Sequence, residues 1–257
     1  MAIMMQWGNF SMGYSTDRIP RKMGICGGNG RGPMSTFRIL VADDHEVVRK
    51  GLVALLQAQP EWQVCGEAGE GREAVDKAQQ LKPDVVILDI GMPNLNGLEA
   101  TRQILKTNPQ ARVLILTLHD SDQVVREVLN AGARGFLLKS DAARDLVAAV
   151  EALRRDKTYF TSKVAAMVLE GYLKGGKPGA LVTPGRNRLT PREREIVQLL
   201  AEGKSTKEVA VALGLSVKTA ETHRSNIMRK LQLHSVSDLV LYAVRNNIVH
   251  VVQAGIG

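Results

Sequence analysis

The chain has 257 residues, of which 44% are hydrophobic and 23% charged, with a formal net charge of +8. That length suits two domains of ordinary size, the apolar share excludes a disordered chain, and no apolar run approaches the roughly 18 residues of a membrane span. Cys26 and Cys65 make no disulfide framework, and with no secretory leader pattern the expectation is a cytoplasmic protein without a membrane partner.

Charge is unevenly spread. Residues 35–157 carry 16 basic and 18 acidic side chains, while the segments on either side are net basic. A basic module beside a mildly acidic one fits a polyanionic partner, nucleic acid first.

Residues 1–33 are rich in Gly and Met without a sustained apolar period, and read as a disordered extension, with Met34 as the natural start. Residues 34–157 then form the first domain. Apolar runs at 37–42, 63–67, 85–89, 112–117 and 135–138 are short and continuous, as strands buried on both faces are. Amphipathic stretches lie between them. Val47, Val48, Leu52, Leu55 and Leu56 mark the first helical stripe, and the fifth helix spans about 141–154. Five strands alternating with five helices predict an α/β fold with a doubly wound parallel sheet.

Residues 158–188 read as a linker, with Gly175, Gly176, Pro178, Gly179, Pro184 and Gly185 close together. Residues 189–257 predict a small all-α domain of four helices. Thr190-Pro191-Arg192-Glu193 is a capping box with Pro at the first helical position, and Ser205-Thr206-Lys207-Glu208 is a second. Gly203 and Gly214 stop those helices. Ser216 caps a third helix to about Leu231, and Ser235 starts a fourth. The turn through Gly214 is the helix-turn-helix pattern.

In a parallel sheet, functional groups gather at the carboxyl ends of the strands. Asp43 and Asp44 end the first strand, Asp89 the third and Thr117 the fourth, and Lys139 follows the fifth. Three carboxylates forced together need a cation, and a hard divalent ion such as Mg²⁺ suits them. Thr117 could donate to an incoming phosphoryl group and Lys139 could pair with it. His45 and His119 read as loop residues rather than metal ligands, and Asp84 and Asp120 as loop or capping residues.

Asp43-Asp44-His45, the run from Asp89 to Pro93, Gly97, Thr117 and the run from Gly135 to Lys139 resemble the receiver domain of two-component response regulators. The resemblance implies that Asp89 is the phosphoacceptor, that Asp43, Asp44 and Asp89 hold Mg²⁺, and that the backbone carbonyl of Gly91 is a further ligand. Phe136 stands at the family's switch position, often Tyr, so any hydrogen bond from that hydroxyl is absent here.

The runs 189–195, 207–210 and 218–223 resemble the LuxR-type helix-turn-helix. Together the two resemblances imply a regulator of the NarL/FixJ type, not an enzyme, phosphorylated by a sensor histidine kinase and binding double-stranded DNA as a homodimer. On the third helix, Ala220, Ile227 and Leu231 share a core-facing side. Glu221, Thr222 and Ser225 are expected at base edges, with Thr219 beside them, and Lys218, Arg224, Asn226 and Lys230 at phosphates. The resemblance further implies that the unphosphorylated receiver masks the DNA-binding helices, with Leu239, Val240, Tyr242 and Ala243 of the fourth helix as the dimer surface. The alternatives are a phosphoaspartyl-type hydrolase, which leaves the basic helical tail without a role, and a phosphorylation-independent DNA binder, against which the complete acidic set argues.

Overall fold

The computed structural model describes residues 36–118, 121–160, 164 and 189–249. The N-terminal extension, the start at Met34, His119, Asp120 and nearly all of the expected linker lie outside the described residues.

The first half is a five-stranded parallel sheet: β1 (Phe37–Ala42), β2 (Trp62–Ala68), β3 (Val85–Asp89), β4 (Arg112–Thr117) and β5 (Gly135–Leu138), in the order β2-β1-β3-β4-β5. Five helices connect or follow them: α1 (Glu46–Gln57), α2 (Gly71–Leu81), α3 (Gly97–Thr107), α4 (Asp122–Ala131) and α5 (Ala142–Arg154). Strand β2 is one residue longer at each end than its apolar run suggests. Its first residue, Trp62, packs its ring against Phe37 of β1, with centroids 6.4 Å apart.

The strands are apolar on both faces because both are covered. Ile39, Val41, Ile87, Leu114 and Leu116 face α1 and α5, packing on Leu52, Leu56, Leu146 and Val150. Leu40, Leu88, Val113, Ile115 and Phe136 face the other way, toward α2, α3 and α4. Each fully buried Leu or Ile contributes roughly 1.5–3 kcal/mol. After α5 the chain returns to β5, where Phe136 N donates to Tyr159 O and Tyr159 N to Arg134 O. This covers a sheet edge that would otherwise present unpaired backbone.

The second half is helical: α6 (Pro191–Ala201), α7 (Thr206–Ala212), α8 (Val217–Leu231) and α9 (Val236–Arg245). Thr190 with Glu193, Ser205 with Glu208 and Ser235 with Asp238 all form reciprocal capping boxes, and Ser216 caps α8. Gly203 and Gly214 both adopt positive φ, +88° and +61°, where a side chain would be strained. Ile196, Val197, Leu199, Val209, Ile227, Leu239 and Ala243 form the core. Leu239 and Ala243, expected on a dimer surface, are therefore buried inside their own domain. They sit one turn apart on the face of α9 that meets α6, and Val236 and Leu241 are the exposed apolar residues instead.

Candidate functional site

Strand order reverses between β1 and β3, which opens a crevice at their carboxyl ends. There Asp43 is fully buried and Asp89 nearly so, while Asp44 is half-exposed. The Asp43 carboxylate accepts from the His45 backbone amide at 2.9 Å, and Arg49 donates to the Asp43 carbonyl at 2.6 Å, fixing the turn into α1. Lys139, just past β5, sets its ammonium 2.8 Å from Asp43 Oδ2 and 2.9 Å from Asp89 Oδ2. Thr117 ends β4 beside Leu138 and is buried. Phe136 is buried in the core face below it.

The electrostatics follow from this crowding. Burial pushes the Asp89 carboxyl above its ordinary value of 3.8; Lys139 pulls it back, Asp44 raises it again, and the Gly91 amide donates to it. Burial works against the charge on Lys139, but the Asp89 and Asp43 carboxylates hold its pKa above the usual value.

Oxygen atoms of Asp43, Asp44 and Asp89, with a ring nitrogen of His45, lie within 4.8 Å of one another. Asp43 Oδ2 is buried beside the Lys139 ammonium and, among the described residues, has no hydrogen bond of good geometry. Hard oxygen donors with an under-satisfied buried member fit a divalent ion such as Mg²⁺. His45, read from sequence as a loop residue, stands at the residue before α1 and lies closer to this cluster than that reading implies, with Nδ1 2.7 Å from Asp44 Oδ1.

In the helical half, Lys218, Thr219, Glu221, Thr222, Ser225 and Asn226 are exposed along one side of α8. Lys218 and Glu221 are loosely paired at 3.9 Å. The Thr219 hydroxyl is tied to the capping Ser216 at 2.8 Å, and Asn226 accepts from Arg229 at 2.9 Å. Arg224 and Lys230 are half-buried and engaged: Arg224 donates to Thr206 at 3.3 Å and Lys230 pairs with Glu193 at 2.7 Å.

The expected masking of the DNA-binding helices by the receiver is seen in part, at α6 and the end of α9 but not along α8. The side of α8 that carries Lys218, Glu221, Thr222 and Ser225 is open, and the sheet domain meets α6 and the end of α9. Glu195 takes Arg72 at 3.3 Å and Gln103 at 2.6 Å, Arg194 pairs with Glu127 at 3.5 Å, and Gln123 donates to Arg245 O at 3.4 Å. Glu195 and Gln198 are buried, because polar side chains on α6 find their partners on the other domain. Read alone, the sequence assigns no role to Gln198 or Asn96. The run Asn96-Gly97-Leu98-Glu99 signals a helix cap, and Asn96 Oδ1 does accept from Glu99 N at 2.9 Å. Nothing in the run signals that Asn96 Nδ2 also reaches Ile248 O at 3.1 Å.

Two family models match the chain, one in each half. Residues 39–151 match the response regulator receiver domain, and residues 187–243 match the bacterial regulatory proteins of the luxR family. The chain is 40% identical over 214 residues to the transcriptional regulatory protein LiaR of Bacillus subtilis (strain 168), covering 83% of this chain and 100% of LiaR. It is 37% identical to the response regulator protein VraR of Staphylococcus aureus (strain Mu3 / ATCC 700698), covering 83% and 99%. Among solved structures it is similar to RcsB of Salmonella enterica serovar Typhimurium bound to promoter P1flhDC in the presence of a phosphomimetic. That similarity has a TM-score of 0.52 and 28% identity, and covers 80% of this chain and 98% of the other.

Proposed function

The chain belongs to the LuxR-family response regulators, DNA-binding transcriptional regulators of two-component systems, and on that premise we propose that it is switched by a phosphoryl group placed on Asp89 by a sensor histidine kinase. The observation that carries the reading is the setting of Asp89: a buried carboxylate at the end of the central strand, 2.9 Å from Lys139 and beside Asp43 and Asp44.

A carboxylate oxygen of Asp89 attacks the phosphorus of a phosphohistidine. A P–O bond forms as the P–N bond breaks, and the imidazole leaves neutral with a proton from solvent. Asp43, Asp44, Asp89 and the Gly91 carbonyl would hold Mg²⁺, which supplies positive charge against the phosphoryl oxygens. Lys139 leaves the two carboxylates and pairs with the new charge. Thr117 donates its hydroxyl to a phosphoryl oxygen, and the Phe136 ring follows Thr117. This is a stoichiometric switch rather than a turnover enzyme.

The output is double-stranded DNA. Glu221, Thr222 and Ser225 face base edges, with Thr219 beside them, and Lys218 and Asn226 face phosphates. Arg224 and Lys230 reach phosphates once they leave Thr206 and Glu193. A homodimer on DNA would use the exposed side of α9, through Val236 and Leu241.

Acetyl phosphate with Mg²⁺, read by intact-protein mass, tests the reading. One phosphoryl adduct is expected on the wild-type chain and none on Asp89→Asn. An Asp89→Asn chain that still takes the label and gains DNA affinity would show the assignment to be wrong.

A further inference from the structure

We propose that Gln198, on helix α6 of the DNA-binding domain, is a positioning residue for the phosphorylation site of the receiver and restrains it. The inference rests on the reading of Asp89 as phosphoacceptor and names the contact that regulates that site.

Gln198 is 2% exposed although it lies on the outer side of its own helical core. Its carboxamide brackets the loop between β3 and α3. Nε2 donates to Met92 O at 3.0 Å, and Oε1 accepts from Asn96 N at 2.8 Å. These backbone groups lie three and seven residues past Asp89, and the peptide joining Gly91 and Met92 immediately precedes the bracketed stretch. The DNA-binding domain secures the same loop at further points, Lys204 donating to Asn94 Oδ1 among them. Glu202 accepts from Asn94 N at 3.1 Å, and Ile248 O accepts from Asn96 Nδ2 at 3.1 Å. Between the domains lies a cavity of about 170 Å³, lined by Asp44, Gly91, Gln198, Glu202 and Ile248, so the acidic site and the bracket share one space.

The contact is directional. A hydrogen bond weakens steeply when its geometry shifts, whereas an apolar contact tolerates sliding. Met92 O and Asn96 N are held in one loop conformation for as long as the domains are docked. Turning the Gly91 carbonyl toward an ion rotates the peptide whose far side carries Met92, and this strains the Gln198 bond. Breaking that bond without a substitute leaves buried polar groups unpaired. The loop therefore has two competing uses, and the coupling is reciprocal: docking weakens metal binding by the same factor by which bound metal weakens docking.

The test uses the full chain at low ionic strength, where the Arg194–Glu127 and Arg72–Glu195 pairs keep the domains together without Gln198. Mg²⁺ affinity is measured by titration calorimetry and labelling by acetyl phosphate, with DNA binding as the check that the helical domain is folded. Gln198→Ala is expected to bind Mg²⁺ about fivefold tighter or more and to label faster. Gln198→Glu keeps the acceptor for Asn96 N but sets a carboxylate oxygen against Met92 O, so it should behave like the alanine variant. Unchanged or weaker Mg²⁺ affinity in Gln198→Ala overturns the proposal, and so does wild-type behaviour of Gln198→Glu. A phosphoryl adduct on Asp89→Asn would instead defeat the site assignment, whatever the Gln198 variants do.

Discussion

The Lys139 ammonium lies 2.9 Å from Asp89 Oδ2 and also 2.8 Å from Asp43 Oδ2, so one buried cation holds two buried carboxylates apart from their own repulsion. Replacing it by Met removes that cation and leaves the acidic cluster uncompensated. Lys139→Met should destabilise the receiver by on the order of 3 kcal/mol, the scale of breaking a buried pair. Mg²⁺ should restore more stability to the variant than to the wild type. Urea denaturation with and without Mg²⁺ measures both, and an equal Mg²⁺ effect on the two chains would remove Lys139 from this role.

Gly97 opens α3 directly behind the site. A Cβ there would fall 2.0 Å from Asp89 O, and backbone cannot yield as a flexible side chain can. Gly97→Ala should therefore shift the end of β3, at about 2–3 kcal/mol of stability, the range of overpacking. Phosphoryl labelling should fall alongside. Calorimetric melting and acetyl phosphate labelling check it, and a variant with wild-type values in both would show that the loop has slack.

The strands and caps were legible because short-range physics dictates them. Continuous runs such as Val85–Asp89 can only be buried strands in this pattern, and Thr190 with Glu193 forms its box within four residues. The acidic site was legible because strand order brings Asp43, Asp89 and Lys139 to one edge. The apolar surface of α9 was misread, since spacing shows that Leu239 and Ala243 share a face but not that α6 already covers it. The domain contact was illegible for a related reason. Gln198 and Asn96 are polar residues 102 positions apart, and no local pattern links them.

The capping boxes predict acid sensitivity in the DNA-binding domain. Glu193 Oε2 accepts from Thr190 N at 2.7 Å and from Lys230 at 2.7 Å, joining the start of α6 to the end of α8. Burial alone would raise its pKa, but Lys230 and Thr190 hold it below the ordinary 4.5. A depressed carboxylate contributes its stability above pH 4.5 and loses it as pH falls through the lower folded value. Glu193→Gln should cost about 1 kcal/mol near neutrality, and its difference from wild type should shrink in acid. Denaturation near neutrality and in acid below pH 4.5 decides it, and a difference that grows on acidification would reverse the assignment.

The last expectation concerns how α8 reads DNA. Lys218 and Glu221 lie one helical turn apart near the start of the helix, largely exposed and only loosely paired at 3.9 Å. They divide the work chemically. A lysine on a phosphate carries no base information, whereas a carboxylate can accept from cytosine N4. Lys218→Ala should weaken binding to every sequence and lower the salt slope by about 1. Glu221→Ala should relax preference at one base pair by on the order of 1–3 kcal/mol. It should also strengthen binding to unrelated DNA, because it removes a negative charge near the phosphates and frees Lys218. Because the two side chains are close enough to couple, their effects on non-specific binding should not add. Titration against a randomised site at several salt concentrations, with both single variants and the double, separates these effects. If Glu221→Ala leaves the preferred base unchanged at every position, the base-reading side of α8 has been assigned to the wrong residues.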